Sequence, residues 1–397
     1  MYWLECISCG KKYDKDTVIY QCDCGSILDV KYDKLSGKVD GRIRRGIWRY
    51  RHFLPIEDWD KIVSLNEGNT TLHECKNLNE KIGCTARIHV KNEGENPTGS
   101  FKDRGMTVGI TRALELGMRR VGCASTGNTS ASLAAYAAKA GIECVILVPS
   151  GKIAYGKMAQ ALAYGAKVYA IKGNFDDAMA RVKKMAEQGS FYLLNSINPY
   201  RLEGQKTLAY EIVDEIGRID KVFIPVGNAG NISAVWKGLR EYKQVGKLDE
   251  LPNMIGVQAE GACPIYNAFL SGTFEPVKNP ETVASAIRIG NPVSWRKALN
   301  AVKESGGEML KVSDEEILQA QALLARSEGI FVEPASAASI AGLLKFVEAG
   351  KIEKKERVVC ITTGNGLKDP DTVVSRYKSE IKEVDAEAIM MRMEAQE

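Results

Sequence analysis

The chain reads as an α/β protein, with parallel β-sheets flanked by helices and a small cysteine-bearing unit at its N-terminus. Three observations predict this. From about Ile62 onward, short apolar runs alternate with longer stretches of helical periodicity. Several apolar runs end in loops of small and polar residues that open the next helical pattern, the place where open parallel sheets bind ligands. Ahead of that region, four cysteines stand in two close pairs within the first 24 residues.

Those cysteines define the first element, residues 1–33. Cys6-Ile-Ser-Cys9-Gly10 is followed by twelve residues and then Cys22-Asp-Cys24-Gly25. A glycine after each pair suits a zinc ribbon, in which two knuckles present thiolates to one tetrahedral ion. So small a unit has little core, and a bound metal would supply most of its stability. Cys-x-Cys in place of Cys-x-x-Cys tightens one chelate. A metal-free ribbon with free thiols and a Cys9–Cys22 disulfide are the alternatives. The next element, residues 34–60, interleaves Arg42, Arg44, Arg45, Trp48, Arg49, Tyr50, Arg51 and His52. Such a stretch suits either single-stranded nucleic acid or an amphipathic connector that docks Trp48, Phe53 and Leu54 on the main body.

Asn96-Pro97-Thr98-Gly99-Ser100-Phe101-Lys102-Asp103-Arg104-Gly105 comes next. Pro97 and Gly99 hold off a helix, and Ser100-x-x-Asp103 predicts a capping pair with Ser100 as N-cap. Lys102 then stands at the second helical position, where the positive end of the helix favours its neutral amine. That form condenses with an aldehyde. A solvated lysine in a first turn fits the same residues.

Strands are expected at Arg119–Ala124, Cys144–Pro149, Lys167–Ile171, Phe191–Leu194, Lys221–Val226, Met254–Gln258 and Arg357–Thr362, all buried and parallel. Helical patterns between them cover Ser130–Ala140, Ala154–Tyr164, Phe175–Gln188, Leu202–Ile216, Ser233–Tyr242, Asp314–Glu328 and Ala335–Glu348. The tail, residues 385–397, is rich in Glu and Met. Gly227-Asn228-Ala229-Gly230-Asn231 ends one strand and opens a helix, so its N–H groups suit an anion; a plain tight turn is the alternative. Ser125-Thr126-Gly127-Asn128-Thr129 repeats that geometry and suits a carboxylate or serves as a polar cap. Arg201 follows Asn195-Ser196-Ile197-Asn198-Pro199-Tyr200 and offers a fork for phosphate, or merely opens a helix. There is no P-loop and no dinucleotide fingerprint.

Composition bounds the function. Apolar residues are 45% and charged residues 26%, ordinary for a globular chain. A net charge of +4 with signs interspersed argues against a nucleic-acid-binding protein. No apolar run approaches ~20 residues, so no membrane span is expected. The start lacks a basic and an apolar segment, so no secretory signal is expected. Cysteines in apolar runs fit the cytoplasm.

Taken together, the lysine motif, Ser125–Thr129, Gly227–Asn231 and Thr362-Thr363-Gly364-Asn365-Gly366 resemble the pyridoxal-phosphate enzymes of fold type II, the tryptophan-synthase-β class. Within it the chain looks like the threonine synthases over nearly its whole length. The resemblance implies a large domain (61–115 and 206–384), a small one (116–205) and a cofactor between them. It implies that Lys102 carries pyridoxal phosphate and acts as the catalytic proton shuttle. Asn128 would face the phenolic oxygen, Thr363 the ring nitrogen, and Gly227, Asn228, Ala229, Gly230 and Asn231 the cofactor phosphate. Ser125, Thr126 and Thr129 would take the substrate carboxylate, and Asn195, Ser196 and Arg201 the phosphate of O-phospho-L-homoserine. By their spacing Cys6, Cys9, Cys22 and Cys24 would bind structural zinc, and the resemblance implies a homodimer. Thr71 stands where that family usually has proline, and Asn365 where histidine is common. Ser285–Pro292 and Glu333-Pro334-Ala335-Ser336 look like signatures of the family with no role derivable from residue type. Rival activities are those of cysteate synthase, cysteine synthase and threonine dehydratase; the rival class is a non-catalytic, ribbon-bearing regulator.

Overall fold

The structure is a computed structural model and describes residues 1–43, 46–150, 155–173 and 175–381. The expected tail at 385–397, Arg44, Arg45 and Ala154 lie outside the described residues.

Strands β1 (Tyr2–Cys6), β2 (Lys12–Tyr13) and β3 (Leu28–Tyr32) form an antiparallel sheet in the order β2-β1-β3. Alternation puts Tyr2, Leu4, Cys6, Leu28 and Val30 inward, against Trp48, Leu54 and Tyr200. The connector is the docked one. Ile47, Trp48, Tyr50 and Phe53 are buried in a run of 3-10 turns, Ile47–Phe53. Trp48 Nε1 donates to Thr107 Oγ1 at 3.0 Å. Arg49 and Arg51 pair with Asp214 and Asp40.

The main body then runs β4 (Leu72–Glu74), α1 (Lys76–Lys81), β5 (Arg87–Asn92), α2 (Lys102–Glu115), β6 (Arg120–Ala124), α3 (Asn128–Ala140), β7 (Glu143–Pro149), α4 (Tyr155–Ala163), β8 (Lys167–Ile171) and α5 (Phe175–Glu187). It continues with β9 (Tyr192–Leu193), α6 (Tyr200–Gln205), α7 (Thr207–Ile216), β10 (Lys221–Pro225), α8 (Gly230–Gln244), β11 (Asn253–Ala259), α9 (Pro264–Ser271) and α10 (Trp295–Glu304). Last come β12 (Glu308–Val312), α11 (Asp314–Glu328), α12 (Pro334–Glu348), β13 (Arg357–Thr362) and α13 (Pro370–Tyr377). The smaller sheet is parallel, in the order β8-β7-β6-β9. The larger is β12-β11-β10-β13-β5-β4, parallel except for β4. Apolar residues fill both faces of the larger sheet and surround the smaller one.

Three expectations need correction. None of the five residues of β8 is buried, because it is the edge strand of its sheet. The pattern at Leu202–Ile216 is two helices rather than one. Thr207 Oγ1 donates to the Gly204 carbonyl at 2.6 Å and tightens the turn at Lys206. Helix α8 begins at Gly230 instead of Ser233, because Ala229 in the left-handed region starts it early.

Candidate active site

Strand register brings the motifs together. Phe223 of β10 lies beside Cys360 of β13, and Thr362 of β13 lies beside Asn92 of β5. The Gly227 loop, Thr363 and the segment leading to Lys102 therefore emerge from three adjacent strands. In the smaller sheet Gly122 of β6 lies beside Leu193 of β9. That register sends Ser125 and Asn195–Ser196 out side by side. Asn195 fastens the two loops, taking the Ala124 N–H at 2.9 Å and donating to the Ala124 carbonyl at 2.9 Å. One of its two amide hydrogens is used in this way.

The lysine motif is held by its own polar residues. Asn96 donates to the Glu93 carboxylate at 2.9 Å and accepts from Gly68 N–H at 2.9 Å. Arg104 is fully buried between Glu93 and Glu211, at 2.6 and 2.7 Å. Thr98 N–H and O–H donate to Asp103 at 2.7 and 2.6 Å. This overturns the expected Ser100 cap. Asp103 is buried against Thr98, Ser100 bridges Gly364 through its backbone, and Lys102 is the first helical residue. The Phe101 N–H donates to the Thr363 carbonyl at 3.0 Å, tying the start of α2 to the end of β13.

Lys102 is the cation of this motif that makes no ion pair among the described residues. Its Nζ lies 3.9 Å from the centre of the Phe101 ring. Burial pushes its pKa down to about 7, the Arg201 guanidinium helps, and the Glu333 carboxylate opposes. Sequence reasoning assigned the effect to the helix end; burial first and Arg201 second lower it here.

Arg201 is buried, and its Nε and Nη1 have no partner among the described residues. Burial lowers its pKa to about 10. A buried guanidinium without a counter-charge is costly unless an anion completes it. Glycines let its helix approach α2: a Cβ on Gly105 would stand 2.6 Å from the Arg201 carbonyl oxygen.

The Gly227–Asn231 loop opens the 15-residue helix α8, with Ala229 at φ 64°. Asn231 is buried with both amide atoms unpartnered. A Cβ on Gly227 would lie 3.0 Å from Ile287 Cα, so the Ser285–Pro292 signature packs against this loop. Asn228 accepts from Ser294 N–H through its carbonyl at 3.2 Å. Ser125, Thr126, Asn128 and Thr129 are half-buried around the start of α3, and Ser196 is half-buried beside them in register.

Three residues had no role in the sequence reading. Glu333, buried before Pro334 at the start of α12, accepts from Asn128 Nδ2 at 3.1 Å with each oxygen. Burial raises its pKa. A Cβ on Gly364 would stand 2.6 Å from Glu333 Oε1, which accounts for glycine there. Ser336 pairs with Thr363 hydroxyl to hydroxyl at 2.9 Å. Lys368 donates to the Thr98 carbonyl at 3.0 Å and to Gln160 of α4. A glutamate directly before a helix-opening proline was the available signal for the first; Lys368 has none. The two departures are local. Thr71 donates its N–H and O–H to Glu95 at 2.7 and 2.8 Å, and a proline could do neither. Asn365 caps a short turn by accepting from Leu367 N–H at 2.9 Å.

In the N-terminal unit, the four sulfurs of Cys6, Cys9, Cys22 and Cys24 lie within 4.8 Å of one another. Cys6 approaches Cys24 at 3.4 Å and Cys9 approaches Cys22 at 3.5 Å, all as free thiols, so the Cys9–Cys22 disulfide is absent. Ser8 and Cys9 N–H point at Cys6 Sγ, both at 3.5 Å.

Comparison with known proteins agrees with this geometry. Residues 63–364 match the family described as "Pyridoxal-phosphate dependent enzyme". A threonine synthase of Methanocaldococcus jannaschii is 58% identical over 387 residues, 95% of each chain. One from Mycobacterium tuberculosis is 57% identical over 333 residues, 83% of this chain and 90% of that one. Among solved structures, maize serine racemase gives a TM-score of 0.67 at 21% identity, covering 79% of this chain and 92% of that one. The processed threonine deaminase isoform 2 of Solanum lycopersicum gives 0.66 at 22%, covering 79% and 91%. At those identities the two structures bear on the fold alone. With its family match and its extensive identity to these synthases, the chain belongs to the pyridoxal-phosphate dependent enzymes and, within them, to the threonine synthases.

Proposed function

We propose that this chain converts O-phospho-L-homoserine and water to L-threonine and phosphate, with pyridoxal phosphate held at Lys102. The observation that carries the phosphate half is Arg201, a buried guanidinium with unpartnered nitrogens, close enough to Lys102 to depress its pKa. A substrate phosphate satisfies that group, and a fork of N–H donors suits it.

The residues present fit the cofactor. Lys102 supplies an amine inclined to be neutral, and the unpartnered amide of Asn231 with the N–H groups of Gly227–Asn231 suits a phosphate. Asn128 would meet the phenolic oxygen and Thr363 the ring nitrogen. When bound, the cofactor draws electrons from the substrate's Cα. Lys102 Nζ takes the Cα proton and serves Cβ as well. The hydroxyls and N–H groups of Ser125, Thr126 and Thr129 orient the carboxylate. Arg201, with Asn195 and Ser196, binds the phosphate and carries its charge as the Cγ–O bond breaks, the electron pair leaving on phosphate. A water hydroxyl joins Cβ; of the protons given up by Cβ and by that water, one goes to Cγ, which becomes the methyl group, and one to the departing phosphate, so one water is consumed per phosphate released.

Supporting proposals concern the rest of the chain. Cys6, Cys9, Cys22 and Cys24 bind structural zinc: Zn–S bonds of about 2.3 Å in a tetrahedron separate sulfurs by about 3.8 Å, within the spread reported above. Domain limits of 1–33, 34–60, 61–115 with 206–384, and 116–205 are supported by the two sheets and the break at Lys206. A homodimer rests on the family resemblance, and the cytoplasm on the free cysteines in apolar runs; among the described residues no helix is long and apolar enough to cross a membrane.

The test is Arg201→Ala. Losing a bond to a charged group costs ~1.5–3 kcal/mol, or roughly 10- to 150-fold in kcat/KM for O-phosphohomoserine. Because phosphate is also the leaving group, part of the loss falls in kcat. Cofactor absorbance and any slow turnover of a substrate without phosphate stay unchanged. Equal losses on both substrates would return Arg201 to a structural role.

A further inference from the structure

Helix α6, six residues long, carries Arg201, and the N-terminal unit grips the residues on both sides of it. Before Arg201, Tyr200 meets the Tyr2 ring edge-on, with centroids 6.4 Å apart at 84°. Its hydroxyl donates to the Lys15 carbonyl at 3.0 Å. After Arg201, the fully buried Glu203 accepts the Tyr32 hydroxyl at 2.5 Å, Lys206 at 2.6 Å and Lys237 at 2.5 Å. Lys237 also meets Asp29 of β3 at 3.3 Å, and Asp29 meets Lys297 at 2.9 Å. A carboxylate buried this deeply stays put only while its donors are in place. One of those donors, Tyr32, belongs to the N-terminal unit, and another, Lys237, is held in turn by Asp29 of that unit.

The opposite face of α6 rests on backbone. A Cβ on Gly204 would stand 1.7 Å from the Arg104 carbonyl oxygen. The helix is therefore pinched between α2 and the N-terminal unit. The unit also holds the neighbouring loop, since Leu193 N–H donates to the Tyr20 hydroxyl at 2.8 Å just before Asn195 and Ser196. Among the described residues, the Nε and Nη1 of Arg201 have no partner to aim them. Its direction is set by where α6 lies.

We propose that the N-terminal unit is a positioning element for Arg201: by clamping Tyr200 and Glu203 it sets the affinity for the substrate's phosphate, separately from the chemistry at Lys102. This rests on the reading of Arg201 as the phosphate ligand. Tyr2, Asp29 and Tyr32 are positioning residues; none touches the reacting atoms.

Tyr32→Phe tests it, since the change removes one hydroxyl and leaves the ring. In the holoenzyme, inorganic phosphate followed by phosphorus NMR should bind more weakly by roughly 2- to 10-fold, the range of one neutral hydrogen bond. kcat/KM for O-phosphohomoserine should fall by about the same factor, part of it in kcat because phosphate is also the leaving group, with the visible cofactor band unchanged. Asp29→Asn, acting through Lys237, should give the same pattern. In an Arg201→Ala background, Tyr32→Phe should change nothing further. Unchanged phosphate binding in Tyr32→Phe, or equal weakening with and without Arg201, overturns the clamp while leaving Arg201 as the ligand. Undiminished phosphate binding in Arg201→Ala alone overturns the ligand reading, and the clamp with it.

Discussion

Lys102 owes its reactivity to its neighbours as much as to its place on α2. Burial and Arg201 disfavour its charged form and lower its pKa to about 7, so the neutral amine is gained as pH rises through that value. About half is neutral at pH 7 and about one-tenth a unit below, whereas an ordinary lysine is neutral only near pH 10. The rate at which apoprotein recovers its visible band on mixing with pyridoxal phosphate should therefore rise up to about pH 8 and then level off. A rate still climbing tenfold per unit at pH 9 would mean that Lys102 titrates normally. Lys102 and Arg201 were legible because the local motif announces them. Glu333 was not. It acquires meaning only when Asn128, far away in the chain, donates to both its oxygens and Gly364 lets it in. Ser100 misled because a Ser-x-x-Asp string cannot say that Thr98 has already taken the aspartate.

Helices with a strong period and strands of β-branched residues were legible nearly to the residue, Arg357–Thr362 and Asp314–Glu328 among them. Elements set by tertiary contact were not. The break between α6 and α7 comes from the Thr207 hydroxyl and the burial of Lys206 against Glu203 and Glu241. The two-residue strand β2 carries no pattern of its own and exists by pairing with β1. In the N-terminal unit the spacing of Cys6, Cys9, Cys22 and Cys24 foretold their convergence. Freshly purified, unchelated protein should contain one zinc per chain by elemental analysis, and Cys22→Ser/Cys24→Ser should lose it. Four protein ligands leave no open position, so an ion held there would be structural. Absent metal, or zinc undiminished in the double variant, would count against the site.

Across the whole molecule, the site exists because β13 lies between β5 and β10, while β6 lies beside β9. That topology collects motifs scattered over some 270 residues of sequence, from Asn96 to Gly366. The order of strands could not be read from the sequence, because each apolar run would serve equally well in any interior place. On the proposed reading, an amine at Lys102 and a guanidinium at Arg201 whose Nε and Nη1 have no partner among the described residues would select an amino acid that carries phosphate at its far end. The most direct measurement offers O-phosphohomoserine, O-phosphoserine and L-threonine in parallel to the holoenzyme and quantifies organic products and phosphate. The expected result is threonine and phosphate in equal amounts from O-phosphohomoserine, with the other two turned over far more slowly. Cysteate or another β-replacement product formed faster from O-phosphoserine, or faster deamination of threonine, would contradict it.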